Sequence, residues 1–252
     1  MKTKTIVVVL MIIVSMGIGA FALRHPNEVQ LNNQNMSSIY EIAINQSKEG
    51  AHDSFLSTRQ KFVEVLGKEE ATLNEGKWDP FFTVIPDLDL SRILIGMTHW
   101  NSMPGFGEAA ARLLPQKEAV NYFSSFDPLA YALLEPVDGK SFDMNSIKKA
   151  GTVVEFAIRR GTTPDAFGEK RDTFFDSLAK YDGFQFAREF KVNKLNEQSI
   201  PVLAENTQAV IIVWESAEKF HAAAQPIFAS SEYEEFAANL EIETYFASNP
   251  TE

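Results

Sequence analysis

The stretch VIIVWESAEKFHAAAQPIFASSEYEEF, residues 210–236, carries the clearest structural pattern of the chain. Its apolar beginning predicts a buried strand over Ala209–Trp214. Ser216 follows at the position of a helix N-cap, and Pro226 is expected to interrupt that helix. The Ser-x-x-Glu pattern at 231–234 is typical of a capping box, which predicts that the helix restarts there. The stretch therefore predicts a strand followed by two short helices.

The same pattern occurs a second time, 114 residues earlier. Residues 97–131 can be placed over residues 211–245 without a gap, and EIAI at 41–44 then falls on EFAI at 155–158. The identical pairs in the long segment are Trp100 and Trp214, Ser102 and Ser216, Phe106 and Phe220, Ala109 and Ala223, Ala110 and Ala224, Glu118 and Glu232, and Tyr131 and Tyr245. Agreement over this length indicates an internal duplication.

Each copy has the order strand, helix, strand, strand, helix, strand. The strands predicted in the first copy are Tyr40–Ile44, Pro80–Val84, Ile93–Trp100 and Leu129–Leu134, and those in the second are Val153–Ile158, Phe184–Val192, Ala209–Trp214 and Ile242–Phe246. Such a unit forms a four-stranded antiparallel sheet with both helices on one face. The repeats occupy residues 38–134 and 153–252, with a connector at 135–152, and each can cover the bare sheet of the other. We therefore expect an α+β fold and a monomer with an internal pseudo-dimer.

The N-terminus resembles an export signal. Lys2 and Lys4 precede an apolar run over 6–18, and Ala20-Phe21-Ala22 has the small-x-small pattern of a cleavage site. We expect residues 1–22 to be a signal peptide and residues 23–37 a polar linker. The protein is then exported, either periplasmic or secreted. The alternative is an uncleaved anchor formed by residues 5–23, which nearly have the length of a membrane span.

Charge and composition exclude several classes of partner. The formal net charge is −11, and cysteines are lacking in the sequence. Nucleic acid binding needs a basic surface, so we expect no nucleic acid partner, and no membrane partner after signal cleavage. The four histidines are not at metal-ligand spacing from one another, so neither a metal site nor another cofactor is expected. The expected partner is a small apolar or aromatic molecule.

The stretch 210–236, with the Asp-Gly-Phe at 182–184 upstream, resembles the antibiotic-biosynthesis-monooxygenase group of dimeric α+β barrels. That group often has a strand ending in Trp, an acidic residue and Ser, then a helix with Phe and His. The resemblance covers both copies and implies tandem ferredoxin-like βαββαβ repeats that form an intramolecular dimeric α+β barrel. The first copy departs from the pattern, because Gly107 stands at the position of His221.

The resemblance also implies a pocket between helix and sheet, and this directs attention to His221. On the helix that starts at Ser216, His221 shares a face with Ala217, Phe220 and Ala224. It is the catalytic candidate, since a histidine there could orient a substrate or move a proton. The alternative is a histidine at the core edge with a structural role. The residues expected to bind the ligand are Trp214, Phe156, Phe167, Phe174 and Tyr245.

The first strand of each copy alternates between bulky apolar residues and others. Ile42 and Phe156 belong to the bulky sets, which we expect to face the helices. Glu41 and Glu155 belong to the other sets, and we expect them to form a polar network between the two sheets. The two tryptophans at the ends of the third strands are expected to be core residues.

Three functions agree with these observations. The first is an exported, cofactor-independent monooxygenase that acts on a small aromatic or apolar compound. The second is a non-catalytic exported binding module for a small apolar ligand. The third is a structural protein whose clefts are filled by its own phenylalanines. The size and the polar groups of the cleft beside His221 should distinguish the three.

Overall fold

The structure is a computed structural model, and it describes residues 38–251. The expected signal peptide at 1–22 and linker at 23–37 lie outside the described residues. Within 38–251, helices of the length and apolarity required to cross a membrane are lacking.

The described chain is α+β, with eight strands and six α-helices. The strands are β1 Ile39–Ser47, β2 Thr72–Thr83, β3 Ile93–Trp100, β4 Phe126–Pro136, β5 Val153–Gly161, β6 Phe184–Leu195, β7 Pro201–Trp214 and β8 Leu240–Thr251. The helices are α1 His52–Leu66, α2 Met103–Leu113, α3 Lys117–Phe123, α4 Pro164–Leu178, α5 Ala217–Phe228 and α6 Ser231–Ala237. Short 3-10 turns precede β3 at Leu90–Arg92 and β5 at Met144–Ile147.

The strands form one closed antiparallel barrel in the order β1-β3-β2-β8-β5-β7-β6-β4. Strands β4, β1, β3 and β2 from the N-terminal half are contiguous, as are β8, β5, β7 and β6 from the C-terminal half. The halves join where β2 pairs with β8 and where β4 pairs with β6. Each strand thus has a hydrogen-bonded neighbour on both sides. The strand edges that an open sheet would expose are paired with each other within one chain. The predicted α+β class is confirmed, with an eight-stranded antiparallel barrel.

The barrel interior holds the bulky apolar residues of the first strand of each half. Ile42 of β1 and Phe156 of β5 belong to one core with Trp78, whose ring centroid lies 5.1 Å from that of Phe156. Glu41 and Glu155 therefore point the other way, toward the helices of their own halves. The expectation that the bulky residues face the helices was wrong. The alternation was predicted correctly, but both faces of the sheet are buried, and the closed interior takes the larger apolar side chains.

Several boundaries and caps differ from the sequence prediction. Strand β2 begins at Thr72, eight residues before the predicted start, and β7 begins at Pro201. Pro226 lies inside α5, two residues before its last residue, so it removes one backbone hydrogen bond without ending the helix at that point. Ser216 does cap α5, because its Oγ accepts a hydrogen bond from the Lys219 N–H at 3.3 Å. The next helix is capped by Ser230 rather than by Ser231, since the Ser230 Oγ accepts from the Tyr233 N–H at 3.1 Å.

Candidate functional site

A cavity of about 70 Å³ lies in the C-terminal half, between its helices and the outer face of its sheet. Strands β5, β7 and β8 form the floor, and helices α4, α5 and α6 form the cover. Most of the lining is apolar, and it includes the side chains of Phe174 of α4, Phe220 and Ile227 of α5 and Phe236 of α6. The cavity belongs to the same layer in which the pocket was expected.

Three exposed apolar side chains stand at the cavity mouth. Val84, Phe228 and Ile242 all line the cavity, and their exposed fractions are 42%, 37% and 36%. Val84 directly follows β2, so the N-terminal half contributes to the mouth of a cavity in the C-terminal half. Together these three side chains give the opening of the cavity an apolar rim.

Glu155 is the carboxyl group of the cavity floor. It is 7% exposed and accepts hydrogen bonds from the Trp214 indole N–H and from the Tyr245 hydroxyl. Burial raises the pKa of Glu155, and the hydrogen bonds from Tyr245 and Trp214 lower it by less. Burial and the neighbouring carboxyl together hold the pKa of Tyr245 well above its ordinary value. The cluster can therefore hold a proton in an apolar setting, which is the basic requirement for acid–base work.

The N-terminal half contains the same three residue types in the same arrangement. The Trp100 indole N–H donates to Glu41 Oε2 at 3.0 Å, and Tyr131 lies close enough to that carboxyl group to lower its pKa. Burial likewise raises the pKa of Glu41. These residues precede Trp214, Glu155 and Tyr245 by 114 positions. The glutamates thus belong to matched clusters within each half, and the expected network between the two sheets was wrong.

The two halves differ in what surrounds the cluster. In the N-terminal half, the buried Arg59 forms an ion pair with Glu75, and its guanidinium lies over Gly96, where an added Cβ would come within 3.8 Å of Nη2. The C-terminal half has Val210 at the position of Gly96, and Val210 lines the cavity. A buried charge therefore reaches the sheet of the N-terminal half at a position where the C-terminal cavity is apolar.

Arg159 is a second polar group of the cavity wall. It is 4% exposed, and its Nη2 donates to Glu189 at 3.0 Å. Its guanidinium carbon lies 4.8 Å from the ring centroid of Phe175 and 4.9 Å from that of Phe236. Burial lowers the pKa of Arg159 to about 10, and Glu189 opposes that shift. Arg159 therefore keeps its positive charge inside the wall at neutral pH.

Three of the five expected ligand-binding residues line the cavity. Trp214, Phe174 and Tyr245 do so, whereas Phe167 lies behind the wall and stacks on Phe236 with ring centroids 5.7 Å apart. Phe156 is in the barrel interior, on the other side of the sheet, so its expected place at the cavity was wrong. The two tryptophans at the strand ends are buried, at 2% and 1% exposure, as expected for core residues.

His221 lies outside the cavity. Its side chain is exposed, and its ring centroid is 5.6 Å from that of Phe81 and 5.3 Å from that of Phe220. The buried face of α5 consists of Phe220, Ala223 and Ile227. One residue along a helix is a rotation of about 100°, which turns His221 away from the sheet. The expectation that His221 borders the cavity was wrong.

The polar residues that the cavity does contain were missed as site residues. Glu155 belongs to the set of the first strand that was expected to face the other sheet, and Arg159 lies four residues further along the same strand. The recurrence of Glu, Trp and Tyr at one offset was the available signal, because three residue types that recur together in both halves of the sequence suggest mutual contact. Among the described residues, we find no group of three or more His, Cys, Asp or Glu side chains that could hold a metal ion.

Comparison with known proteins gives a likeness of fold. No protein-family model and no curated protein matches the chain. Among solved structures, an anthrone oxidase-like protein has 11% identity and a TM-score of 0.55, and the alignment covers 85% of this chain and 93% of that one. A chlorite dismutase variant from Candidatus Nitrospira defluvii has 8% identity, a TM-score of 0.51 and coverage of 86% and 93%. A provisionally assigned monooxygenase from Fusobacterium nucleatum subsp. nucleatum has 9% identity, a TM-score of 0.50 and coverage of 87% and 94%. The chain therefore has a fold similar to the dimeric α+β barrels of monooxygenase-like and chlorite dismutase-like proteins.

Proposed function

We propose that the protein binds a small, largely apolar molecule in the cavity of its C-terminal half. The observation that carries this proposal is the open, apolar mouth formed by Val84, Phe228 and Ile242, which leads to the hydrogen-bonding cluster around Glu155. Small-molecule sites in proteins combine these features, an apolar lining with a few convergent polar groups.

The cavity volume limits the size of the ligand. About 70 Å³ is several times the space that one water needs, yet it is smaller than the roughly 150 Å³ of an engineered apolar cavity that admits benzene. A ligand with one aromatic ring or a short branched chain would therefore fill the cavity and extend into its mouth. A larger ligand would need the helices to move.

A second candidate function is cofactor-independent monooxygenation in the same cavity. The raised pKa of Glu155 supports it, because a buried carboxylate of raised pKa is a stronger base than an exposed one. In such a reaction an activated methylene of the substrate becomes a carbonyl. One atom of O₂ enters the product, the other leaves as water with the two methylene hydrogens, and the substrate supplies all four electrons. Glu155 takes the place of His221 as the group that would accept the first proton.

The assembly and the location belong to the same proposal. We propose that the two halves are tandem ferredoxin-like βαββαβ repeats that act as a pseudo-dimer within a monomer. The equal order of elements, the contiguous strand sets and the matched Glu, Trp and Tyr clusters support this. We also propose that residues 1–22 direct export of the chain, as a signal peptide that is cleaved after Ala22. The basic residues and the apolar run at 6–18 support it.

The repeat provides matched variants for the binding test. Denaturation of the purified protein should release a co-purified small molecule, which mass spectrometry detects. In a second test, single-ring compounds should change the tryptophan fluorescence of the folded protein. Trp214→Phe should abolish most of that change, whereas Trp100→Phe, the equivalent substitution in the other half, should preserve it. Absence of a released molecule together with absence of a Trp214-dependent response would exclude the binding function. Oxygen uptake that is lost in Glu155→Gln but not in Glu41→Gln would favour the second candidate.

A further inference from the structure

Arg159 has one buried hydrogen-bond donor that the described chain does not use. Its Nη2 is bonded to Glu189, but its Nε has no hydrogen-bond partner among residues 38–251. The residue lines the cavity and is 4% exposed, so bulk water cannot easily serve that donor. A buried N–H without a partner is costly, so such a group in a native protein requires an explanation, and an acceptor supplied by a ligand is one.

Arg159 and the carboxyl cluster around Glu155 lie at different ends of the cavity. Glu155, Ala157 and Arg159 alternate along β5 and all line the cavity. Because a strand rises about 3.3 Å per residue, the backbone positions of Glu155 and Arg159 are about 13 Å apart. The cavity thus has a cationic end at Arg159, a carboxyl end at Glu155 and an apolar region between them.

The charge at the Arg159 end is not balanced by the protein within the wall. Glu189 contacts two cations, Arg159 at 3.0 Å and Arg171 at 3.5 Å. Arg171 also pairs with Asp172, but the side chain of Asp172 is 67% exposed, and water screens such a pair strongly. The buried part of this group therefore retains positive charge, which favours an anionic oxygen over a neutral one at the free Nε.

We propose that the ligand is a small hydrophobic acid whose carboxylate is bound by Arg159. This inference rests on the proposed binding function and names the class of its ligand. The carboxylate accepts a hydrogen bond from the Arg159 Nε, and the apolar body lies against Phe174 and Phe236. Short aromatic or branched aliphatic carboxylic acids have the required chemistry and size.

Benzoate and benzyl alcohol form a suitable probe pair, because they have similar shape and differ in charge. Calorimetric titration of the full chain should show benzoate binding about tenfold tighter or more than benzyl alcohol. In Arg159→Met, which keeps an unbranched apolar side chain, the two affinities should agree within about twofold while that for benzyl alcohol is retained. Arg160→Gln is the matched control, because it removes the neighbouring arginine of the same strand, which pairs with Glu241 outside the cavity lining, and should leave the preference for benzoate in place.

The outcomes separate this inference from the binding function. Equal binding of both probes to the wild-type protein, or a preference for benzoate that survives in Arg159→Met, would overturn the acid-binding inference and leave the binding function intact. Failure of both probes to bind would overturn both. Removing Arg159 leaves the carboxylate of Glu189 with less compensation, so a second variant is included. The double variant Arg159→Met/Glu189→Gln removes both charges, and the same loss of preference is expected in it.

Discussion

The carboxyl group of Glu155 accepts a hydrogen bond from the indole N–H of Trp214 across two paired strands of the barrel. Glu155 pairs with Ile212, and Trp214 lies two residues further along β7, on the same face. Glu41 and Trp100 have the same relation across β1 and β3, where Glu41 pairs with Thr98. The register of the sheet therefore creates the contact in both halves, and only the C-terminal one opens into the described cavity.

Replacing either glutamate by alanine should destabilise the fold. Glu155→Ala leaves the Trp214 indole N–H and the Tyr245 hydroxyl without their acceptor in a buried site, at a cost of about 2–4 kcal/mol. Glu41→Ala removes the equivalent acceptor and should cost a similar amount. Urea denaturation measures both free energies of unfolding. Midpoints equal to that of the wild-type protein would show that the two clusters do not contribute to stability.

The stability contributed by the two glutamates should fall as the pH rises. Burial raises the folded-state pKa of both above the ordinary value of 4.5. Between that value and the raised value, the folded state holds protons that the unfolded state has released, so the free energy of unfolding decreases with pH. The double variant Glu41→Gln/Glu155→Gln lacks the two carboxyl groups and therefore this contribution to the pH dependence of the free energy of unfolding. Denaturation between pH 4 and 8 should show the wild-type protein losing stability relative to the variant, and a constant difference would contradict the raised pKa values.

His221→Ala should change little. The side chain is exposed and touches the rim of the core through Phe81 and Phe220, so the expected change in the free energy of unfolding is within about 0.5 kcal/mol. Affinity for a single-ring ligand should also remain unchanged, because His221 lies outside the cavity. Calorimetric titration and denaturation of the same variant test both points. A loss of ligand affinity would restore His221 as a site residue.

Phe156→Ala should be strongly destabilising. Phe156 is 1% exposed in the barrel interior against Trp78, and truncating a buried phenylalanine costs about 3–5 kcal/mol. Phe228→Ala is the contrasting variant, since Phe228 lies at the cavity mouth with 37% exposure. It should cost much less stability and should instead alter ligand affinity. Thermal unfolding and titration distinguish the two roles, and equal destabilisation by both substitutions would contradict them.

A fragment of residues 150–252 should not form a stable monomer. In the full chain β8 pairs with β2 and β6 pairs with β4, so the isolated C-terminal half would expose two strand edges and the apolar interior of the barrel. Size-exclusion chromatography with light scattering should show a dimer or larger species. A soluble, folded monomer of this fragment would show that the half does not require a partner sheet.

The sequence alone was sufficient for the eight strands and their order along the chain. Trp100 and Trp214, and Tyr131 and Tyr245, recur at one offset because both halves need the same contacts, and helical and strand periodicity located most elements. Local signals were less reliable at boundaries. Pro226 was tolerated inside a helix near its end, where only one backbone hydrogen bond is lost.

The tertiary structure decided which face of each strand meets the helices. Period-two alternation separates Glu155 from Phe156, but it does not say which of them points into the barrel, because the interior and the helix layer are both buried and both accept apolar side chains. The sequence likewise does not determine how α5 is rotated about its own axis. Phe220 and His221 are neighbours in sequence, and only packing against the sheet decides which of them is buried. Closure of the barrel decided the first and packing of α5 on the outer face of the sheet decided the second, and together they placed Glu155 and Arg159, rather than His221 and Phe156, at the cavity.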